Sequence, residues 1–263
     1  MNGALSESVL DVDDQQLSAV VKRREEAVAR LNKWLEENYP LVPAATTVPP
    51  RFVVSIAGII GAGKSELAKQ LAPVLNLPLY VEDVIDHAYL ERFYGDMKRH
   101  AFGLQIHLIN KRFRQAQLIT WSGKGAVQDR TFYEDEVFAR MLQQDGLMEA
   151  HEFRDYVELA ETMKNYIQHP NLIVFLDVKP ETALERIRRR NRAWERISLE
   201  YLTKLYEAYK VFIADVAKKI PVIVVNWESF EDAAIVADKV VRKYLTEIAK
   251  PHQLGERPER FDE

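Results

Sequence analysis

Apolar residues follow two rhythms along this chain. Runs of strand length, at 52 to 60, 172 to 178 and 222 to 226, are dominated by Val, Ile, Leu and Phe, the pattern of strands buried on both faces. Between them, apolar residues recur three and four apart, as at Leu67 and Leu71, which marks helices with one covered face. The reading gives strands at 52–57, 79–81, 125–128, 172–178 and 221–225. Helical stretches fall at 64–75, 87–121, 133–168, 180–191, 198–219 and 229–248. Such alternation predicts an α/β fold: a parallel sheet of about five strands with helices on both faces and ligands at the carboxyl ends of the strands.

Outside that core the rhythm changes. Leu17, Val21, Val28, Leu31 and Leu35 form one stripe over residues 14 to 38, an amphipathic helix suited to packing on the core or on another subunit. Pro40, Pro43, Pro49 and Pro50 then mark an extended linker. The tail 250–263 mixes Pro251, Gly255 and Pro258 with charges and is expected to be disordered. The division is therefore 1–50, 51–249 and 250–263.

Composition narrows the chemistry. The 263 residues are long enough for one large domain, and a net charge of −4 gives no general attraction for nucleic acid or anionic membrane. With no cysteine there is no disulfide framework and no thiolate chemistry. The six histidines lack zinc-enzyme spacing, and no apolar run reaches the roughly 20 residues of a membrane span. The N-terminus has no basic region followed by an apolar core, so the expected location is the cytoplasm.

The run from Phe52 ends in Gly58, four residues, Gly63, Lys64, Ser65. A strand before and a helical pattern after make this a phosphate-binding loop. Gly58, Gly61 and Gly63 let the backbone wrap its N–H groups around phosphate oxygens, with Ala62 between them. Lys64 reaches the outer phosphates, and the Ser65 hydroxyl can hold Mg²⁺. The helix N-terminus that follows adds its dipole.

Two acids stand at strand ends, Glu82 and Asp129, the latter followed by Arg130. Either alone could simply cap a helix. Beside a phosphate loop they fit two jobs of a phosphotransferase, assisting Mg²⁺ and accepting a proton from an attacking hydroxyl. The segment 180–196 carries Arg186, Arg188, Arg189, Arg190, Arg192 and Arg196. Following a buried strand whose end should lie near the loop, it reads as an Arg-rich lid over the transferred phosphoryl group rather than a solvated face. Asp-x-x-Gly and Asn-Lys-x-Asp are both missing, which argues against a guanine-nucleotide switch.

Taken in order, the motifs resemble the deoxyribonucleoside kinase family, which includes deoxycytidine, deoxyguanosine and bacterial-type deoxyadenosine kinases. The resemblance rests on Gly58 to Ser65, Glu82-Asp83-Val84, Phe93-Tyr94, Gln105 with Arg112, Asp129-Arg130-Thr131 with Asp135, and Arg186 through Glu195 before Ile197 to Tyr201. It implies a P-loop kinase fold using ATP and Mg²⁺, with Glu82 as the base for the 5′-hydroxyl and Arg130 beside that hydroxyl. Lys64 completes the implied catalytic set. Ser65 and Asp129 would hold the metal, while Arg186, Arg190 and Arg192 would surround the phosphates. Tyr94 and Glu195 would grip the 3′-hydroxyl, and Gln105, Arg112 and Asp135 would read the base.

The Arg/Asp pair is typically absent from relatives that favour thymidine, so the resemblance points to deoxyadenosine, deoxyguanosine or deoxycytidine. Phe102 to Gln105, Asn110 to Phe113 and Asp129 to Asp135 look most like the bacterial-type purine branch, which ranks deoxyadenosine first. Leu104 stands where several relatives place Phe, and Asn191 and Trp194 replace a Gly and an acid of the lid. The family implies a homodimer or larger homo-oligomer, with the N-terminal helix a candidate interface. Two rival readings keep the phosphate loop: a nucleoside monophosphate kinase of the thymidylate kinase kind, and a non-catalytic ATP-binding assembly protein.

Overall fold

The computed structural model describes residues 48–49, 51–81, 87–191 and 197–248, all within the unit Pro43–Glu263. The expected helix 14–38, the tail 250–263 and the site candidates Glu82, Arg192 and Glu195 lie outside the described residues.

The apolar runs form β1 (Val53–Ala57), β2 (Leu79–Tyr80), β3 (Ala126–Asp129), β4 (Leu172–Asp177) and β5 (Val222–Asn226). They pair as one five-stranded parallel sheet in the order β2-β3-β1-β4-β5. β1 and β3 are buried at every position and β4 at all but its last, so these strands show runs rather than alternation. Edge strand β5 is more open.

Helices α1 (Lys64–Val74), α2 (His87–Gly95), α3 (Met97–Ser122), α4 (Asp135–Gln144), α5 (Ala150–Lys164), α6 (Pro180–Arg190), α7 (Leu199–Val216) and α8 (Ala233–Lys243) connect and cover the strands. A 3₁₀ turn, Phe132–Glu134, leads into α4, and a π-helical turn, Tyr244–Ile248, extends α8. Polar caps decide several boundaries that periodicity leaves open. The stretch 87–121 breaks at Asp96, whose carboxylate accepts from the Arg99 N–H at 3.1 Å, and α3 ends at Gly123 in the left-handed region (φ 62°). Likewise α8 starts at Ala233 rather than 229, because Asp232 accepts from the Ala234 N–H at 2.9 Å.

Two apolar clusters hold these elements. One joins the sheet to α1, α6, α7 and α8 through residues such as Ile56, Leu67, Leu71, Val174, Ile187 and Leu205. The other lies among the helices α2 to α5 and includes Leu104, Ile109, Phe132, Leu142 and Tyr156. The register then sets the site: Ile56 is level with Asp129, and Ala57 with Phe175. The carboxyl ends of β1, β3 and β4 therefore share one edge, where ligands bind in open α/β sheets.

Candidate active site

β1 runs straight into the glycine loop at that edge. Gly61 sits at φ 83°, and a Cβ there would lie 2.5 Å from the Ala183 carbonyl oxygen, so the loop presses on α6 as only glycine allows. Gly63 (φ 96°) is the N-cap of α1 and makes no side-chain cap. The first N–H groups of α1 are thus left for an anion. Lys64 is 6% exposed, and its ammonium donates to the Gly58 and Ile59 carbonyls at 2.7 and 2.8 Å. The cation is held at the phosphate side of its own loop.

Next to Lys64, the Ser65 hydroxyl donates to Asp129 Oδ2. The other oxygen, Asp129 Oδ1, is buried and has no hydrogen-bond partner among the described residues. A hydroxyl and a carboxylate side by side, one oxygen still to be satisfied, form the hard-oxygen donor set that Mg²⁺ takes while keeping several waters. The residues fit the ion. No cluster of three or more His, Cys, Asp or Glu that could hold another metal occurs among the described residues.

One short turn after β3 supplies much of the remaining chemistry. Arg130 adopts the left-handed region (φ 73°) without being glycine, a conformation costing about 1 to 3 kcal/mol and kept only where the surroundings over-determine it. Its N–H donates to the Ile56 carbonyl at 3.0 Å, and its guanidinium donates to Glu134 Oε1 at 2.8 Å and lies over the Phe138 ring. Thr131 caps the 3₁₀ turn through the Tyr133 N–H. Asp135 then opens α4.

Asp135 forms an ion pair with Arg112 of α3. Both are buried, as is Gln105 two helical turns before Arg112 on the same helix face. Gln105 Oε1 has no hydrogen-bond partner among the described residues. Tyr156 is fully buried beside this group. Burial raises its pKa well above the ordinary phenol value, the Arg112 charge opposing and Glu136 adding. Tyr201, near the start of α7, lies close to two of the candidates: burial lifts its pKa, the Tyr94 phenol adds, and the Arg130 charge opposes. Tyr94, Tyr201 and Arg130 are therefore electrostatic neighbours.

Arg186, Arg188, Arg189 and Arg190 of the expected lid segment lie on α6. Arg186 donates to the carbonyls of Ala62, Trp227 and Glu228 at 2.9, 2.6 and 3.1 Å and stacks over Phe230 at 4.5 Å. Burial lowers its pKa while the Glu228 charge opposes. Glu228 accepts from the Lys179 N–H and from the Thr182 hydroxyl. Burial would raise its pKa, but these bonds and the charges of Lys179 and Arg186 hold it below the ordinary carboxylate range. Arg186 thus fastens the phosphate loop to the segment after β5, and exposed Arg190 ends α6.

Trp227, Glu228, Phe230 and Tyr201 escaped the sequence reading as site residues. Trp227, Glu228 and Phe230 follow a strand end at the binding edge, which is the signal that could have found them. A further polar chain runs from Ser55 to Gln128 (3.2 Å), on to Gln115 (3.1 Å) and to the Val81 carbonyl (2.5 Å). It ties β1, β3 and α3 to the residue just before Glu82.

A glycine loop with its lysine, a Ser/Asp pair whose oxygens suit Mg²⁺ and a buried amide with an Arg/Asp pair define a P-loop phosphotransferase with a small polar acceptor. The chain belongs to the deoxynucleoside kinase family, which it matches over residues 54–250. It is 49% identical over 192 residues to a deoxyadenosine kinase of Dictyostelium discoideum, covering 73% of this chain and 78% of that relative. It is 36% identical over 171 residues to a deoxyadenosine/deoxycytidine kinase of Bacillus subtilis, covering 64% of this chain and 79% of that one. Among solved structures, a deoxyadenosine kinase from M. mycoides with bound dCTP superposes with a TM-score of 0.64 at 25% identity, over 72% of this chain and 98% of that one. The chain is a deoxynucleoside kinase, as the motif series implied.

Proposed function

We propose that the chain transfers the γ-phosphoryl group of ATP to the 5′-hydroxyl of deoxyadenosine. The observation that carries the base preference is the buried set Gln105, Arg112 and Asp135. A glutamine amide offers a donor and an acceptor side by side, matching the amino group and ring nitrogen of adenine. An ionised Asp135 offers acceptors only, so it suits an amino-bearing base and repels the carbonyl of thymine. The relatives named for deoxyadenosine support the same choice.

In the reaction the 5′-oxygen bonds to the γ-phosphorus, the bond from that phosphorus to the β–γ bridging oxygen breaks, and ADP leaves. Glu82 takes the 5′-hydroxyl proton. Arg130 lies beside the entering oxygen, and Lys64 with the N–H groups of the loop steadies the phosphate charge. Ser65 and Asp129 would hold Mg²⁺, whose chemistry there would be to neutralise phosphate charge. Tyr94 and Glu195 orient the sugar through its 3′-hydroxyl, and Arg186, Arg190 and Arg192 supply positive charge around the phosphates.

The test is the position and source of the phosphate. With ATP and Mg²⁺, deoxyadenosine should yield its 5′-monophosphate, 2′,5′-dideoxyadenosine should yield nothing, and Glu82→Gln should abolish turnover while ATP still binds. Phosphorylation of deoxyadenosine monophosphate but not of the nucleoside would refute the proposal. We also take the enzyme to be a cytoplasmic homo-oligomer, at least a dimer, whose particle mass light scattering would report. No helix among the described residues is long and apolar enough to cross a membrane.

A further inference from the structure

The turn that carries Asp129, Arg130 and Asp135 contains one more acid with no role yet, Glu134. It is 0% exposed, and a carboxylate is almost never so buried without a partner. One oxygen accepts from Arg130 Nη1 at 2.8 Å. The carboxylate also acts on Tyr209, whose phenol burial, first, and then the Glu134 charge push well above its ordinary pKa. Glu134 is the last residue of the 3₁₀ turn, and its N–H closes back on the Thr131 carbonyl at 3.3 Å.

The reverse constraint acts on Arg130. Its backbone is left-handed at φ 73°, a conformation that an arginine does not choose unaided. Among the described residues, the Ile56 carbonyl on its N–H, the Phe138 ring under its guanidinium and the Glu134 carboxylate hold it in place. Among these, only Glu134 is a charge that draws the guanidinium in one direction and balances it out of water. Asp129, directly before Arg130, is engaged with Ser65.

We infer that Glu134 is a positioning residue: by pairing with Arg130 it fixes the guanidinium beside the reacting hydroxyl and makes its left-handed backbone tenable. The inference rests on the assignment of Arg130 made above. Glu134 touches no reacting atom, so its effect must pass through Arg130 and appear in kcat rather than in donor binding.

The experiment is a double-mutant cycle on the full chain with deoxyadenosine and ATP, measuring kcat, KM for ATP and melting temperature for Glu134→Gln, Glu134→Asp, Arg130→Met and the doubles. Glu134→Gln should lower kcat about 100-fold, the scale of a misplacement near 1 Å, with KM for ATP unchanged. In the Arg130→Met background the same change should alter kcat by less than about 3-fold, because the group it positions is gone. Should Glu134→Gln not fold, Glu134→Asp, which keeps the charge and shortens the reach, carries the same comparison. A Glu134→Gln enzyme with parental kcat, or a loss fully additive with Arg130→Met, would overturn the inference while leaving Arg130 in place. Unchanged kcat in Arg130→Met alone would overturn the assignment of Arg130 and the inference with it.

Discussion

Replacing Asp135 with alanine separates what the Arg112–Asp135 pair does for the fold from what it does for the substrate. Asp135 is 1% exposed and Arg112 7%, so the change takes a buried counter-charge away from the guanidinium. Breaking a buried pair from one side costs about 3 to 5 kcal/mol. At about 2 to 4 °C per kcal/mol for a domain of this size, the melting temperature should fall by about 6 to 20 °C. Converting Arg112 to Met as well removes the buried positive charge, and the double variant Arg112→Met/Asp135→Ala should recover most of that loss. Activity should not recover with it. Each buried group left unmatched against adenine is worth about 1 to 3 kcal/mol, or about 5- to 150-fold in kcat/KM for deoxyadenosine. Differential scanning calorimetry and initial rates on the same three proteins test this. A single variant that melts with the parent, or a double variant that regains both stability and deoxyadenosine turnover, would refute the reasoning.

Other consequences follow from the same geometry. Gly61→Ala places a Cβ 2.5 Å from the Ala183 carbonyl, so α6 must retreat; calorimetry should show a destabilisation of about 1 to 3 kcal/mol, and titration should show weaker ATP binding. Asp129→Asn should weaken the apparent affinity for Mg²⁺ by about 10-fold or more in a metal titration of the rate, with little effect on melting temperature. The Tyr206 phenol donates to Asp177 at 2.8 Å, and that bond, with burial, pushes its pKa up to about 12. The raised pKa favours the protonated folded state, so its contribution is present below pH ~10 and is lost as pH rises toward 12. Melting temperatures at pH 9 and pH 11 should therefore differ less in Tyr206→Phe than in the parent.

The sheet was readable because its strands are buried on both faces and therefore carry continuous apolar runs. β2 was the weakest case, with only Leu79 and Tyr80 paired at the edge. Helix ends at Asp96 and Asp232 were set by single carboxylates accepting from backbone N–H groups, a signal that hydrophobic spacing does not hold. Lys64, Ser65 and Asp129 could be named as candidates because phosphate and Mg²⁺ chemistry asks for those residue types at fixed places, and the structure brings Ser65 and Asp129 together beside Lys64. Gln105, Arg112 and Asp135 became candidates through family resemblance, and the structure buries all three and pairs Arg112 with Asp135. Arg186 was expected among the phosphates, and the structure ties it to three carbonyls and to the Phe230 ring. Arginine density reveals positive charge but not which carbonyls will absorb it. Glu134 was in plain view in the motif, yet its role depends on the backbone of Arg130 turning left-handed, which no pattern of residue types announces.

The most direct measurement is ATP-dependent phosphorylation, with Mg²⁺, of the four deoxynucleosides and their monophosphates, with products resolved by chromatography and kcat/KM obtained for each. The expected result is the highest kcat/KM for deoxyadenosine, thymidine the poorest of the nucleosides, and no turnover of the monophosphates. Turnover confined to monophosphates, or ATP binding without any phosphorylated product, would contradict the assignment.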